Sequence, residues 1–259
     1  YDLQTADVLH IEDTIARAVA EAMNIRLPQE VGARWNQMRT TVPAAYAHYL
    51  KGLPLQRQRT PAANASAIQN YRAAIAADPK FAPAFVRLAQ SMLNEIGLGA
   101  RPVGEVAGEV ERLVAEALRL APDMPEALAT RGWLLTEQYR MEAAVPFFSK
   151  ALQLNPNDAD TLRLNGYALA QLARPAEALD QYTRASELDP LDFMTHVLRC
   201  HSLRDMSRFD EAEQTCARAR QLDESNVWGY IGSSWVAYAR GEMAEALRWT
   251  EAAEAIEPS

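Results

Sequence analysis

The chain has 259 residues, 49% of them hydrophobic and 23% charged, and a net charge of −8. That acidic balance, without any run of clustered Lys and Arg, excludes a surface built to neutralise nucleic-acid phosphates. No stretch approaches the roughly 18 uninterrupted apolar residues of a membrane-spanning helix, and neither an initiator methionine nor a signal-peptide pattern opens the sequence at Tyr1, as expected of a piece of a longer protein.

Residues 1–40 carry one element of their own. Ile11, Ile15, Val19 and Ala22, with Glu12, Asp13, Arg17 and Glu21 between them, predict an amphipathic helix ending near Asn24, before Leu27-Pro28. From residue 41 a repeat takes over. Counting back from Pro258 in steps of 34 reaches Glu224, Pro190, Pro156 and Pro122, and Ala246, Ala212, Ala178 and Ala144 lie twelve residues before the first four of these marks. A fixed period of that length is the mark of stacked helical units.

In the first unit, 43–80, Ala67, Tyr71, Ala74 and Pro79 follow one another at offsets of 4, 3 and 5. Those offsets place a small-large-small stripe on one helical face and the proline just beyond the helix end, where its missing N–H does no harm. The second unit, 81–123, opens with Phe85, Leu88, Ala89 and Met92 on one stripe and is nine residues too long. Its excess, Gly97 to Gly104, is turn-rich and predicts a protruding loop.

The third unit, 124–157, pairs a Leu128/Gly132/Leu135 stripe with Ala144, Phe148, Ala151 and Pro156; the fourth, 158–191, pairs Leu162/Gly166/Leu169 with Ala178, Tyr182, Ala185 and Pro190. In the fifth, 192–225, Cys200 takes the small position of the first helix and Cys216 the bulky position of the second, so the two are expected buried and close. Two reduced thiols acting as small hydrophobes are the preferred reading over a disulfide. The sixth unit spans 226–259. Glycine or alanine at the third stripe position of the first helix lets the second approach closely, which predicts two packed helices per unit and a core that runs as a row.

Dedicated chemistry is hard to find. His10, His48, His196 and His201 form no metal-ligand spacing, Gly97, Gly99 and Gly104 lack the strand and Gly-Lys-Ser/Thr of a phosphate loop, and Gly232-Ser233-Ser234 lacks half of a nucleophile elbow. No enzyme activity, cofactor or metal is expected of this segment. Asn64-Ala65-Ser66 fits a glycosylation acceptor, which has meaning only in a secretory context.

With 34-residue units, Gly or Ala facing Ala, and closing pairs Asp78-Pro79, Asn155-Pro156 and Asp189-Pro190, the sequence resembles the tetratricopeptide repeat family. The resemblance implies an all-α, right-handed α-solenoid of about six helix-turn-helix units over 41–259, preceded by the helical segment of 1–40. Arg131, Asn165, Arg199 and Ser233 depart from it, standing where the family has leucine. The phrases from Asp7-Val8 through Val19, with Ala44-Ala45-Tyr46, Tyr49-Leu50-Lys51-Gly52, Ala82-Pro83-Ala84 and Leu188-Asp189-Pro190-Leu191, are similar to bacterial multidomain regulators. There such repeats follow a TolB-like domain behind a nucleotidyl cyclase or winged-helix domain. That implies a cytoplasmic setting, or a periplasmic one where the parent carries a transmembrane helix.

One column of the repeat points to function. Trp133, Tyr167, His201 and Trp235 recur at intervals of 34, with Gln90 at the same place in the second unit. In the tetratricopeptide family this stripe faces a concave groove, so the four rings are expected to form a ladder, flanked by Arg163, Arg204 and Tyr238, for a protein or peptide partner. The family's carboxylate clamp is missing, since Val86, Ala129, Arg163, Trp133 and Tyr167 stand at its places. An apolar or aromatic peptide, with Arg163 and Arg204 available to an acidic group, fits that surface, and Trp133→Ala and Trp235→Ala are expected to weaken binding without moving the melting point. The alternative function is self-association as a homodimer through the last unit.

Overall fold

A computed structural model describes residues 39–58 and 60–256; the amphipathic helix expected around 11–24 lies outside them. Among the described residues there are twelve α-helices and no strand: α1 Pro43–Arg57, α2 Pro61–Ala77, α3 Ala82–Gly97, α4 Val103–Leu120, α5 Pro125–Glu137, α6 Met141–Leu154, α7 Ala159–Gln171, α8 Pro175–Leu188, α9 Phe193–Asp205, α10 Phe209–Leu222, α11 Val227–Arg240 and α12 Met243–Ile256. The chain divides after Gln138 into two compact bodies. In the first, α1 packs on α2, α3 on α4, and α5 lies against both α3 and α4; in the second, α7 pairs with α8, α9 with α10 and α11 with α12, and α11 also touches α9.

The helix ends follow from the repeat. Asp78, Ala121, Asn155 and Asp189 close α2, α4, α6 and α8 with ψ of 97°, 87°, 88° and 85°. Each precedes a proline, whose ring drives the preceding residue out of the helical region and stops the helix there. The turns after α5, α7, α9 and α11 are equally regular: Tyr139, Ala173, Ser207 and Gly241, each 34 after the last, take positive φ of 57°, 55°, 58° and 84°. After Ala173 the Arg174 N–H bonds back to the Leu169 carbonyl at 3.0 Å, and after Ser207 the Arg208 N–H bonds to Leu203 at 2.9 Å. This is the left-handed cap that reclaims the last orphan carbonyls of a helix, and only Gly241 adopts it without steric cost.

The expected protruding loop is a correction. The excess of the second unit goes mostly into its helices, for α3 has 16 residues and α4 has 18, against 13 and 14 in α7 and α8. Gly97 and Gly104 are helical, leaving only 98–102 as connection. Arg101 clips that connection down, reaching Glu95 at 3.3 Å and Glu105 at 3.4 Å.

Where the paired helices cross, one site recurs with three chemistries. At Gly166 a Cβ would stand 2.6 Å from the ring of Tyr182, so the glycine is what admits the fully buried tyrosine. One repeat later the pair is Cys200 and Cys216, both fully buried and joined by a disulfide. One repeat later again, Ser234 Oγ and Thr250 Oγ1 share a hydrogen bond of 2.8 Å. The preference for reduced thiols is therefore overturned: a Cα–Cα distance of 5.5 Å, set by the same close helix crossing, lies within disulfide range. In the first body Gly52 plays the glycine part, for a Cβ there would stand 2.5 Å from the ring of Tyr71. There Val110 and Val114 fill the α4 positions held in α6 and α8 by alanine and an aromatic, in one cluster with Ala89 and Met92.

The polar residues standing where the family has leucine are mostly engaged with neighbouring helices. Arg131 pairs with Glu111 at 3.5 Å, Asn165 donates to Gln181 at 3.3 Å, and the fully buried Ser233 accepts from Arg220. Arg199 keeps a buried Nε without a partner.

Candidate functional site

The expected aromatic column divides between the two bodies and between two roles. In the first body, Gln90 and Trp133 are tied into the fold. Gln90 accepts from Arg87 and donates to Thr130, both at 3.1 Å. The half-buried Trp133 packs against the core of Leu88, Met92 and Leu134, and its indole N–H donates to Glu137 at 2.8 Å.

In the second body, Tyr167 is half-buried. Arg163 spans Asp160 at 3.1 Å and Asp192 at 3.4 Å, tying α7 to the residue that caps α9. Its charge is thereby matched inside the fold.

α9 and α11 bring the remaining residues together. The His201 ring lies 5.0 Å from that of Trp235, half the spacing of about 10 Å expected for stacked helices. Arg204, one turn along α9, places its guanidinium 5.3 Å over the same indole, while Asp205 holds it at 2.6 Å. Burial, followed by the charge of Arg204, pushes the His201 pKa down to about 4, so at neutral pH the imidazole is an uncharged ring beneath Trp235. Its Nε2 is buried without a partner. Trp235 is 43% and Tyr238 65% exposed, three residues apart on α11. The result is a platform: two accessible aromatics on one helix face, stiffened from α9 by a neutral imidazole and a stacked guanidinium.

A second feature lies in the first body and was not singled out by the repeat column. Tyr49 of α1, Pro83, Val86 and Arg87 of α3, Met124 just before α5 and Glu126 of α5 line a cavity of about 180 Å³. Arg87 and Glu126 sit beside apolar stripes, and a charge at the edge of such a stripe was the available signal. Among the described residues no cluster of three His, Cys, Asp or Glu side chains could hold a metal ion, and no helix is long and apolar enough to cross a membrane.

The fold is that of an all-α helical-repeat protein. Residues 125–158 match the tetratricopeptide repeat family, and solved structures of tetratricopeptide type resemble the chain. PilW, a type IV pilus biogenesis factor, superposes with a TM-score of 0.65 at 17% identity, covering 82% of this chain and 92% of its own. PilF of Pseudomonas aeruginosa gives 0.64 at 19%, covering 83% and 93%. YrrB, described as having an unusual peptide-binding site, gives 0.55 at 21%, covering 73% and 93%. No curated protein sequence matches the chain significantly.

Proposed function

We propose that this chain is a protein-interaction module of a signalling or regulatory protein, and that the α9–α11 face of its second body holds an apolar or aromatic segment of the partner. The observation that carries this reading is the exposure of Trp235 and Tyr238 on a support of His201 and Arg204. Aromatic and arginine side chains dominate binding energy at protein interfaces, and a ring already fixed by its neighbours loses little freedom on binding. Because Asp205 already neutralises Arg204, the face favours an apolar ligand over an acidic one. Peptides selected from a random library on the wild-type chain should lose about thirtyfold or more in affinity for Trp235→Ala/Tyr238→Ala. Unchanged affinity in that variant, at an unchanged melting temperature, rejects the reading.

The disulfide bears on where the module works. Buried disulfides persist in oxidising compartments and are rare in the cytosol, so the Cys200–Cys216 bridge supports the periplasmic alternative over the cytoplasmic one. Self-association remains a second reading because Met243 and Leu247, one turn apart on α12, are 58% and 60% exposed. Light scattering of wild type against Met243→Glu/Leu247→Glu separates dimer from monomer.

A further inference from the structure

The cavity between α1, α3 and α5 is too small for a cofactor and well suited to one side chain. Its volume of about 180 Å³ falls below the roughly 300–1,000 Å³ of small-molecule sites and equals about six waters. Its walls are Tyr49, Pro83, Val86 and Met124, and its polar groups are one cation, Arg87, and one anion, Glu126.

Both charges are set in place by the fold. Arg87 donates to Gln90 at 3.1 Å, and Gln90 in turn donates to Thr130 of α5. Burial works against the Arg87 charge, but Tyr49, which accepts a hydrogen bond from it, together with Tyr71 and Glu126 outweighs that cost and lifts its pKa above the ordinary arginine range. Glu126 anchors the same network through its main chain, its carbonyl accepting from Thr130 at 2.7 Å. Its carboxylate Oε2 is buried with no hydrogen-bond partner. A buried acceptor left without a donor is costly, and that cost is recovered when the carboxylate turns to meet a donor offered by a ligand.

The charge pair selects among ligands. An ammonium or guanidinium satisfies Glu126 and meets Arg87 as a like charge. A carboxylate satisfies Arg87 and meets Glu126. An uncharged group with a donor and an acceptor side by side serves both. We propose that this cavity is a pocket for a carboxamide side chain, Gln or Asn, of a partner polypeptide: its NH₂ donates to the Glu126 carboxylate, its carbonyl accepts from the Arg87 guanidinium, and Tyr49, Val86 and Met124 enclose its methylenes. The proposal rests on the interaction-module reading but uses a different body of the chain, so the two fail separately.

The test uses the full chain and N-acetyl, C-methylamide pentapeptides Ser-Ala-X-Ala-Ser with X as Gln, Glu, Lys or Leu, titrated by heteronuclear NMR. The Gln peptide is expected to bind roughly tenfold more tightly than the other three, with shifts at Tyr49, Val86, Arg87 and Glu126. Glu126→Gln, which removes the anion, should move the Glu peptide ahead of the Gln peptide. Trp235→Ala/Tyr238→Ala should leave the wild-type ranking untouched. Preference of the wild type for Lys, Glu or Leu, shifts that avoid these residues, or a ranking unmoved by Glu126→Gln overturns the proposal.

Discussion

Reducing the Cys200–Cys216 bridge is the most direct perturbation of the second body, because it changes one covalent bond and no side-chain volume. The cysteines are 16 residues apart. Cross-linking a loop of that length lowers the entropy of the unfolded chain by an amount equivalent to about 3 kcal/mol at 25 °C. With a urea slope of about 2 kcal/mol per molar, the midpoint of the second body should fall by about 1.5 M on reduction. Both sulfurs are fully buried, so a phosphine reductant acts only where the body opens. The assay is urea unfolding followed by circular dichroism, with and without reductant, alongside thiol titration in denaturant. No thiol should titrate before reduction and two after it. Two thiols in the unreduced denatured chain, or coincident midpoints, refute the reasoning.

Further outcomes follow from the same geometry. Trp133→Ala, against the sequence-based expectation, should lower stability by about 2–3 kcal/mol because the ring packs against the core of the first body, whereas Trp235→Ala should cost about 1 kcal/mol; thermal melts distinguish them. Ala173→Gly relieves a positive φ of 55° and should stabilise by about 0.5–1 kcal/mol, while Gly241→Ala should lose about 1 kcal/mol, both read by urea midpoints. His201, with its folded pKa depressed to about 4 from an ordinary 6.5, is neutral when folded and takes up a proton on unfolding between those values. Its contribution is therefore complete above pH 6.5 and lost as pH falls to about 4, a change of about 2–3 kcal/mol. A pH–stability curve for His201→Phe should be flatter than wild type across that window.

The repeat architecture was legible because it is local. A proline 34 residues after the last one, and a small-large-small stripe before it, dictate a helix end and a packing face without reference to distant parts of the chain. The Gly97–Gly104 stretch misled because glycine was taken as a turn former, yet Gly97 and Gly104 are absorbed into lengthened helices that Arg101 clips together. The disulfide was hidden because small and bulky positions tolerate cysteine as an apolar residue, and only the helix crossing that Gly166 and Tyr182 display brings the sulfurs within bonding reach. The 34-residue period shows which residues share a column but not how deeply each is buried. Trp133 and Trp235 share a repeat position, and the surroundings, the core of the first body in one case and His201 and Arg204 in the other, decide which ring is packed and which is accessible. The Tyr49–Arg87–Glu126 pocket draws on three helices and has no single-helix spacing to announce it.

Hydrogen exchange read by mass spectrometry, with a library-selected peptide added to the full chain, tests the proposed platform most directly. Slowed exchange should concentrate in α9 and α11, over 193–205 and 227–240, and disappear in Trp235→Ala/Tyr238→Ala. Protection confined to α8, α10 or α12, with α9 and α11 unchanged, contradicts it.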